Sequence, residues 1–329
     1  GSYGHFNGKI DDIAVYDRAL NDQEVYQLYE NSLSYYDILW STGDTTNSIS
    51  VAPQQNTTYS VSVTDGINWC SDEVTIDVFR DVNLNLTAFL EGPYNEGTGL
   101  MMNWLYFWGY LPLNQPYASA PWNYQGNEAV TTIPNSDIVD WMLVELRATS
   151  GDASTASADS AFATNAVFLL KDGGIIDTSG TNLPAVRIEA GKNIYAVLKH
   201  RNHLAIMSSG SIANTGDTLT WDFSTDANQA YGGPNAHKEI NPGVWGMVAA
   251  DGNSDGQINN TDKNSVWSIQ AGNAGYLNGD FDMDSQVGNS DKNDLWVPNG
   301  GSGGQVPASP DGKSGRPASS RGDSGRPDN

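Results

Sequence analysis

Two copies of one twelve-residue pattern, 29 residues apart, constrain this chain more than any other feature. We call residues 251–262 the first loop and residues 280–291 the second loop. In the first loop, oxygen donors recur at positions 1, 3, 5, 7, 9 and 12, where position 7 offers its backbone carbonyl: Asp251, Asn253, Asp255, Gln257, Asn259 and Asp262. The second loop supplies Asp280, Asp282, Asp284, Gln286 and Asp291. Alternate carboxylates in a tight loop surround one point, as a hard cation such as Ca²⁺ requires.

The two loops share their flanking residues as well as their donor pattern. A Lys-Asn pair follows each terminal aspartate, and a tryptophan follows at the same offset, as Trp267 and Trp296. The alternative is a pair of acidic surface turns that bind nothing, because Asp and Gly are common in turns. We predict two Ca²⁺ ions, one in each loop, because Asp280, Asp282 and Asp284 would otherwise repel one another.

The second loop departs from the first at two positions. Ser285 stands where the first loop has its turn glycine, Gly256, and Gly288 leaves position 9 without a side chain, so that a water would have to serve there. The second loop nevertheless has four carboxylates where the first has three. Charge and geometry therefore favour different loops, and the order of their affinities stays open.

Both loops end in aspartate rather than in the bidentate glutamate of an EF-hand, and no long helix is predicted before either one. The pair therefore resembles the dockerin repeat, in which a calcium loop is followed by one short helix. The resemblance implies docking onto a cohesin-type protein partner through the helices that follow the loops. Asn260–Thr261 and Asn289–Ser290 fill comparable positions for such docking.

The strong negative charge limits the classes of partner. The 329 residues carry 39 acidic and 16 basic side chains, a formal net charge of −23. Such a chain repels phosphate backbones, so we expect no nucleic-acid binding. No apolar run reaches the roughly 18 residues that cross a membrane, so we expect no membrane insertion. The single cysteine, Cys70, is interpreted as a partly buried turn thiol, and calcium loops in place of disulfides favour an extracellular or cell-surface location.

The first eighty residues predict two small units. Residues 1–33 contain a Gly-Lys-Ile-Asp-Asp run and a short helix from Asp22 to Tyr29, with Asn21 as its cap. They resemble the last strand and closing helix of a laminin-G or concanavalin-like sandwich, so we expect the remnant of such a domain. Residues 34–80 resemble immunoglobulin-like or PKD-like spacer modules and predict strands at 38–43, 47–51, 57–63 and 73–79.

The largest predicted unit is a β-sandwich at residues 81–249. Apolar alternation favours strands at 82–90, 139–147, 166–170, 193–199 and 203–207. Motifs such as Leu90–Tyr94, Val139–Arg147, His200–Leu204 and Trp245–Met247 resemble a domain near the C-termini of hemagglutinin-like or adhesin-like surface proteins of Bacteroidota. In those proteins it commonly runs into a dockerin-like pair, here residues 250–299. Residues 300–329 are predicted to be a disordered tail, in which Arg321-Gly-Asp323 is explained by chance composition.

Two further groups of residues are candidate sites. Four aromatic residues at period two, on one predicted strand face, form either an inter-sheet core or a sugar-stacking platform: Trp104, Tyr106, Trp108 and Tyr110. His200 and His203 are three apart on a predicted strand, so we expect their side chains on opposite faces. No nucleophile elbow, phosphate loop or zinc spacing is present, so we expect no enzyme.

These observations predict a mainly β protein, with β-sandwich modules followed by a dockerin-like pair of calcium loops with short helices. Its expected work is adhesion or carbohydrate recognition, with a glycan or another cell-surface molecule as partner. The first alternative is a structural module that anchors an enzyme or lectin preceding it in a longer chain. The second is docking onto a cohesin-type partner.

Overall fold

The computed structural model describes residues 15–33, 36–65 and 68–309. The chain divides into two compact units, Gly1–Val78 and Phe79–Asn329. It is mainly β, with several sheets and a few short helices. The Gly-Lys-Ile-Asp-Asp run and Arg321-Gly-Asp323 lie outside the described residues, and the finer division into five parts stays a prediction.

The described residues of the first unit form one helix and one sheet. Helix α1 (Asp22–Leu33) precedes an antiparallel sheet of order β1-β2-β3, formed by β1 (Asp37–Trp40), β2 (Thr57–Thr64) and β3 (Trp69–Ile76). The predicted cap is confirmed, because Asn21 Oδ1 accepts a hydrogen bond from the Glu24 N–H at 2.9 Å while Glu24 Oε2 accepts from the Asn21 N–H at 3.0 Å. This reciprocal pair is a capping box.

Two predictions for the first unit are wrong. Residues 47–51 form no strand. Two side chains bond to the backbone there instead: the Trp40 indole N–H donates to the Thr46 carbonyl at 2.8 Å, and the Thr46 hydroxyl donates to the Ser48 carbonyl at 2.7 Å. Cys70 is exposed rather than partly buried. It lies on β3, which is an edge strand, rather than in a turn.

The second unit contains the remaining elements. Its strands are β4 (Phe79–Thr87), β5 (Phe89–Leu90), β6 (Tyr94–Asn95), β7 (Leu100–Met101), β8 (Ile138–Thr149), β9 (Ala161–Leu170), β10 (Ile175–Ile176), β11 (Ala185–Glu189), β12 (Asn193–Lys199), β13 (Ile206–Met207), β14 (Ala213–Thr215), β15 (Thr218–Asp222), β16 (His237–Asn241) and β17 (Val244–Met247). Its helices are α2 (Trp104–Phe107), α3 (Ser268–Gln270) and α4 (Val297–Asn299). Two π-helical segments, Asp262–Trp267 and Asp291–Trp296, run directly into α3 and α4.

Two sheets share the main core of this unit. One has the order β10-β9-β8-β12-β13 and the other β11-β4-β15-β14. Leu84 and Leu86 of β4 belong to the same hydrophobic cluster as Trp141 of β8 and Phe168 of β9, an arrangement consistent with the predicted β-sandwich. Strands at 82–90, 139–147, 166–170 and 193–199 are confirmed within a few residues, and most of β8 is buried on both faces although it carries Asp140, Glu145 and Arg147.

A third, smaller sheet leads the chain from the sandwich into the first loop. Its order is β16-β17-β5, and β17 pairs in parallel with β5. This pairing places the residues after β5, beginning with Glu91, beside the residues after β17, which enter the first loop at Asp251. Among the described residues, no helix combines the length and the apolar character that a membrane crossing needs.

Candidate metal centre

The first and second loops turn in the same way although their sequences differ. At position 4, Ser254 has a φ of 56° and Met283 a φ of 57°; at position 6, Gly256 has 83° and Ser285 has 82°. Side chains other than glycine rarely adopt this left-handed region, so both loops hold strained residues at equivalent points. Ser285 therefore takes the glycine conformation in spite of its side chain.

The terminal aspartate of each loop is fully buried and accepts hydrogen bonds from two equivalent backbone amides, to which the Phe281 N–H adds a third at Asp291. Equivalent bonds join Asp262 to the N–H groups of Asn253 and Asn259, at 3.2 and 2.8 Å, and Asp291 to those of Asp282 and Gly288, at 3.0 and 2.7 Å. Position 12 thus lies next to positions 3 and 9 in both loops, which closes the ring of donors that a cation would need.

The aspartates at position 1 differ in one oxygen. The Asp251 carboxylate accepts from the Gly256 N–H at 3.1 Å and, through its other oxygen, from the Asp255 N–H at 3.1 Å. Asp280 accepts from the Ser285 N–H at 3.1 Å, but its Oδ1 is buried and has no hydrogen-bond partner among the described residues. A buried carboxylate oxygen without a donor is costly unless a cation lies beside it.

The second loop brings three carboxylates together. One ligand oxygen from each of Asp280, Asp282 and Asp284 lies within 4.8 Å of the others, so the triad could hold a metal ion. In the described part of the chain this is the one group of three acidic, histidine or cysteine ligands at such distances. The first loop has Asn253 at position 3, where an amide oxygen replaces the third carboxylate.

The electrostatics of both loops favour a cation. Burial, together with the neighbouring Asp291, Asp282 and Asp284, raises the pKa of Asp280 to about 8 although Arg201 lowers it. Burial and the nearby Asp262 raise the pKa of Asp251 to about 7. These carboxylates resist ionisation because no positive charge in the loops offsets them. A divalent ion would supply that charge.

The two loop-helix segments hold each other through their tryptophans. The Trp267 indole N–H donates to the carbonyl of Gly288 at 2.7 Å, and the Trp296 indole N–H donates to the carbonyl of Asn259 at 2.9 Å. Both acceptors occupy position 9 of the opposite loop. The lysines after the terminal aspartates cross over as well: Lys263 lies 4.8 Å from the Trp296 ring centre and Lys292 4.7 Å from that of Trp267.

The turn after β5 packs tightly against the second loop. A Cβ at Gly92 would lie 1.9 Å from the carbonyl oxygen of Phe281, so only glycine fits there. The preceding Glu91 accepts from the Ala249 N–H at 2.9 Å and from the Asn299 amide at 2.7 Å. Glu91 therefore joins the sandwich to the entry of the first loop and to the helix after the second.

The segment His200–Leu204 contacts both loops. The Asn202 amide donates to the carbonyl of Asp280 at 2.6 Å, and the Ser254 hydroxyl donates to the carbonyl of Arg201 at 2.7 Å. His203 Nε2 accepts from the Gly92 N–H at 3.2 Å. This turn therefore fixes the position-1 backbone of the second loop and position 4 of the first.

The prediction that His200 and His203 point to opposite faces is wrong. Strand β12 ends at Lys199, the chain turns, and the two rings meet with their Nδ1 atoms 3.1 Å apart. Burial lowers the pKa of both rings, so they are neutral near pH 7. Because the Gly92 N–H donates to His203 Nε2, the proton of His203 lies on Nδ1, and His200 in turn donates from Nε2 to Asp140 at 3.1 Å.

Asp140 is the centre of this buried network. It also accepts from Arg201 Nε at 2.9 Å and from the Tyr276 hydroxyl at 2.7 Å. Burial raises the pKa of Asp140, but Arg201 and His200 outweigh burial and lower it overall. An ionised, fully satisfied carboxylate of β8 thus anchors both the His200–Leu204 turn and the segment before the second loop.

The four aromatic residues do not line a strand face, and that prediction is wrong. Residues 104–107 form helix α2, in which Tyr106 packs against the core and Trp104 is exposed. Trp108 and Tyr110 follow the helix and are also exposed. Gly109, at a φ of 72°, ends the helix: its N–H bonds to the Tyr106 carbonyl at 3.0 Å. Sugar stacking at this patch stays a prediction.

Sequence reasoning did not assign roles to Glu91, Gly92, Asp140 and Asn202, which support the loops. The signal was present, because these residues lie in the motifs that carried the family resemblance, but spacing alone does not show what they contact. Comparison with protein-family models, curated proteins and solved structures found no match to this chain.

Proposed function

We propose that this protein binds two Ca²⁺ ions, one in each loop, and that the dockerin-like pair of loops acts as a calcium clasp that stiffens the end of a β-sandwich. The observation that carries the proposal is Asp280, whose buried Oδ1 has no donor among the described residues and whose carboxylate offers one oxygen within 4.8 Å of oxygens of Asp282 and Asp284. A bound cation would supply the missing partner.

The donor set favours Ca²⁺ over other cations. All the proposed ligands are oxygens: Asp251, Asn253, Asp255, the Gln257 carbonyl, Asn259 and Asp262 in one loop, and Asp280, Asp282, Asp284, the Gln286 carbonyl and Asp291 in the other. Hard oxygens exclude the soft metals that prefer sulfur or imidazole. Five or six donors from one loop suit the large shell of Ca²⁺ better than the small octahedron of Mg²⁺, which usually keeps several waters.

We place this clasp in a secreted or cell-surface protein that works in adhesion or carbohydrate recognition and performs no catalysis. Millimolar extracellular calcium fills even weak sites of this kind. The net charge of −23 disfavours nucleic acid as a partner. Exposed aromatic rings, such as Trp104 and Trp108, are available to pack on sugars or on another protein surface.

Titration calorimetry tests the proposal directly. The full chain, stripped with EGTA and titrated with Ca²⁺, should bind two ions, and the same titration with Mg²⁺ should give weaker binding. Asp282→Asn and Asp284→Asn together should remove one ion, and Asp255→Asn should weaken the other. Asp294→Asn is the matched control, because this exposed carboxylate lies just past the second loop and outside the donor set.

The proposal fails if the wild-type chain binds no Ca²⁺, or if Asp294→Asn changes the stoichiometry as much as the double variant does. A result of one ion, lost with the second-loop variants, would retain the clasp and remove the first-loop site.

Docking onto a cohesin-type partner is a second candidate, favoured by two exposed apolar side chains. Ile269 on α3 is 71% exposed and Val297 on α4 is 58% exposed. Residues 260–261 and Asn289 are exposed beside these helices. Biolayer interferometry with a cohesin-type domain tests this candidate: Ile269→Asp with Val297→Asp should abolish binding while two Ca²⁺ ions remain bound.

A further inference from the structure

A cavity in the described part of the second unit lies against the first loop and has no function assigned above. Its volume is about 910 Å³, within the range of roughly 300–1,000 Å³ typical of small-molecule sites. The parts of the chain that line it include the segment 121–126, strands β8, β9 and β12, the turn after β12, and the first loop.

Aromatic rings form one side of the cavity. Trp122, Tyr124 and Phe162 line it and are half-buried, so each ring keeps accessible surface. Tyr124 is held in place because its hydroxyl bonds to Glu128 and, at 3.0 Å, to the Thr164 carbonyl. Its ring, rather than its hydroxyl, is therefore available to a ligand. Such rings pack on the C–H faces of sugar rings.

A charged pair on the sheet supplies both donors and acceptors to the cavity. Lys199 Nζ donates to Glu145 at 2.6 Å, and Arg147 Nε donates to the other Glu145 oxygen at 2.8 Å. Burial raises the pKa of Glu145, but Lys199 and Arg147 outweigh burial and lower it. Glu145 is therefore an acceptor rather than a proton donor, and Lys199 keeps N–H groups for a ligand. Adjacent donors and acceptors match neighbouring sugar hydroxyls.

The charge of the lining disfavours anionic ligands. Three acidic residues, Glu145, Asp251 and Asp255, line the cavity together with a single lysine, Lys199. The two histidines that line it are neutral, as described above. With Ca²⁺ in the first loop, the ion would offset Asp251 and Asp255, and Lys199 with Arg147 offsets Glu145, so the lining offers no net positive charge to hold a phosphorylated or carboxylated ligand. A neutral sugar satisfies the hydrogen-bonding groups without adding charge.

Asp255 and Gln257, at positions 5 and 7 of the first loop, form part of the cavity wall. Their ligand oxygens are among those proposed for Ca²⁺, so ion binding would fix this wall. We propose that the cavity binds a neutral oligosaccharide and that Ca²⁺ in the first loop is required for it. This inference rests on the proposed calcium function and assigns the carbohydrate site to this cavity rather than to α2.

The test uses the full chain and a panel of neutral glucose, galactose, mannose and xylose oligosaccharides, with binding followed by calorimetry in saturating Ca²⁺. At least one member should bind. Trp122→Ala and Lys199→Met should each weaken its binding about 10-fold, because each removes one stacking or hydrogen-bonding contact. Trp108→Ala, on the exposed α2 patch, should leave it unchanged. Ca²⁺ titration of each variant shows whether the fold is retained.

Coupling to calcium is tested at Asp262, a first-loop ligand that does not line the cavity. Asp262→Asn or EGTA should weaken sugar binding about 10-fold or more, while the Asp294→Asn control should not. Absence of Ca²⁺ binding in the wild type overturns the proposed function. If the wild type binds Ca²⁺ normally but binds no sugar, this inference alone is overturned. The same holds if sugar binding is lost in Trp108→Ala but retained in Trp122→Ala. Trp122-dependent binding of a basic peptide library in place of every sugar also overturns it.

Discussion

Asp280 illustrates how burial changes the role of one carboxylate. Its side chain is fully buried, one oxygen has a backbone donor, and the other has none among the described residues. Without a cation, burial and the neighbouring acids oppose its ionisation. The same residue is therefore expected to destabilise the metal-free protein and to stabilise the calcium-bound one.

Asp280→Asn should change stability in opposite directions with and without calcium. At pH 8 in excess EGTA, it should raise the free energy of unfolding by about 1–2 kcal/mol, because an uncompensated buried charge is removed. In saturating Ca²⁺ it should lower that free energy by about 2–3 kcal/mol, because one ion no longer binds. Urea unfolding in the two conditions measures both values. Asp294→Asn should shift neither by more than about 0.5 kcal/mol, and the same sign for Asp280→Asn in both conditions would contradict this account.

His237 is a second buried titratable residue, outside the loops. It begins β16 and is 3% exposed, and neither ring nitrogen has a partner among the described residues. Burial lowers its pKa to about 4. The unfolded chain takes up a proton near pH 6.5, whereas the folded chain does not until the pH approaches 4. The neutral ring therefore contributes stability that is present above pH 6.5 and is lost as the pH falls from there through 4.

The pH dependence of His237→Leu should differ from that of the wild type. Between pH 7 and pH 5 the wild type should lose about 2 kcal/mol through this histidine, and the variant should lack this component. The loops titrate in both proteins, so the difference between the two unfolding free energies isolates His237. Parallel pH profiles would show that the buried ring is already protonated or solvated in the fold.

At the scale of elements, the two loop-helix segments form a reciprocal pair. Each tryptophan reaches across to position 9 of the opposite loop, and each lysine lies over the opposite indole. A short helix of three residues after a π-helical segment cannot be stable by itself. Mutual packing therefore accounts for the order of both segments, and each site depends on the helix of the other.

Trp267→Phe should weaken Ca²⁺ binding in the second loop more than in the first, and Trp296→Phe should do the reverse. Each change removes one hydrogen bond to a position-9 carbonyl, which is worth about 1 kcal/mol, or roughly fivefold in affinity. Calorimetry in Asp255→Asn and in Asp284→Asn backgrounds isolates the two sites. Trp108→Phe serves as the control, because that indole is exposed on the turn after α2. Equal effects of both variants on both sites would exclude the reciprocal arrangement.

At the scale of the whole molecule, the paired loops belong to the same compact unit as the sandwich. Glu91, Gly92, Asn202 and Asp140 connect that sandwich to the loops through hydrogen bonds and close packing. Ion binding should therefore stabilise the unit from Phe79 onward as a whole. The sheet β1-β2-β3 belongs to the other unit and contains none of the proposed ligands.

Calorimetric melting should show this division. Removing Ca²⁺ with EGTA should lower the transition of the second unit by about 10–20 °C, since two ions at 100-fold excess over their dissociation constants contribute about 5 kcal/mol. The transition of the first unit should stay in place. The triple variant Asp255→Asn, Asp282→Asn, Asp284→Asn should show less than half of the wild-type shift, because one site is removed and the other is weakened. Equal shifts of both transitions, or none, would contradict the clasp.

Local pattern was sufficient for the mainly β character and for the grouping of three carboxylates in the second loop. The apolar residues at 139–147, although Asp140, Glu145 and Arg147 stand among them, predict β8, and the spacing of the second loop predicts that Asp280, Asp282 and Asp284 lie together. The role of Asn21 as the helix cap could also be predicted from the sequence, since its hydrogen bonds stay within one turn. The end of α2 carried a local signal too, Gly109, but the period-two aromatic pattern pointed to a strand instead.

Only the tertiary structure decided which distant residues meet. Asp140 and Tyr276 are 136 residues apart and share a hydrogen bond, and the approach of His200 to His203 depends on where β12 ends. The cavity likewise combines segment 121–126, the sheet and the first loop. Spacing predicts contacts within a turn or a strand because backbone geometry repeats there, whereas contacts between segments depend on the packing of the whole core.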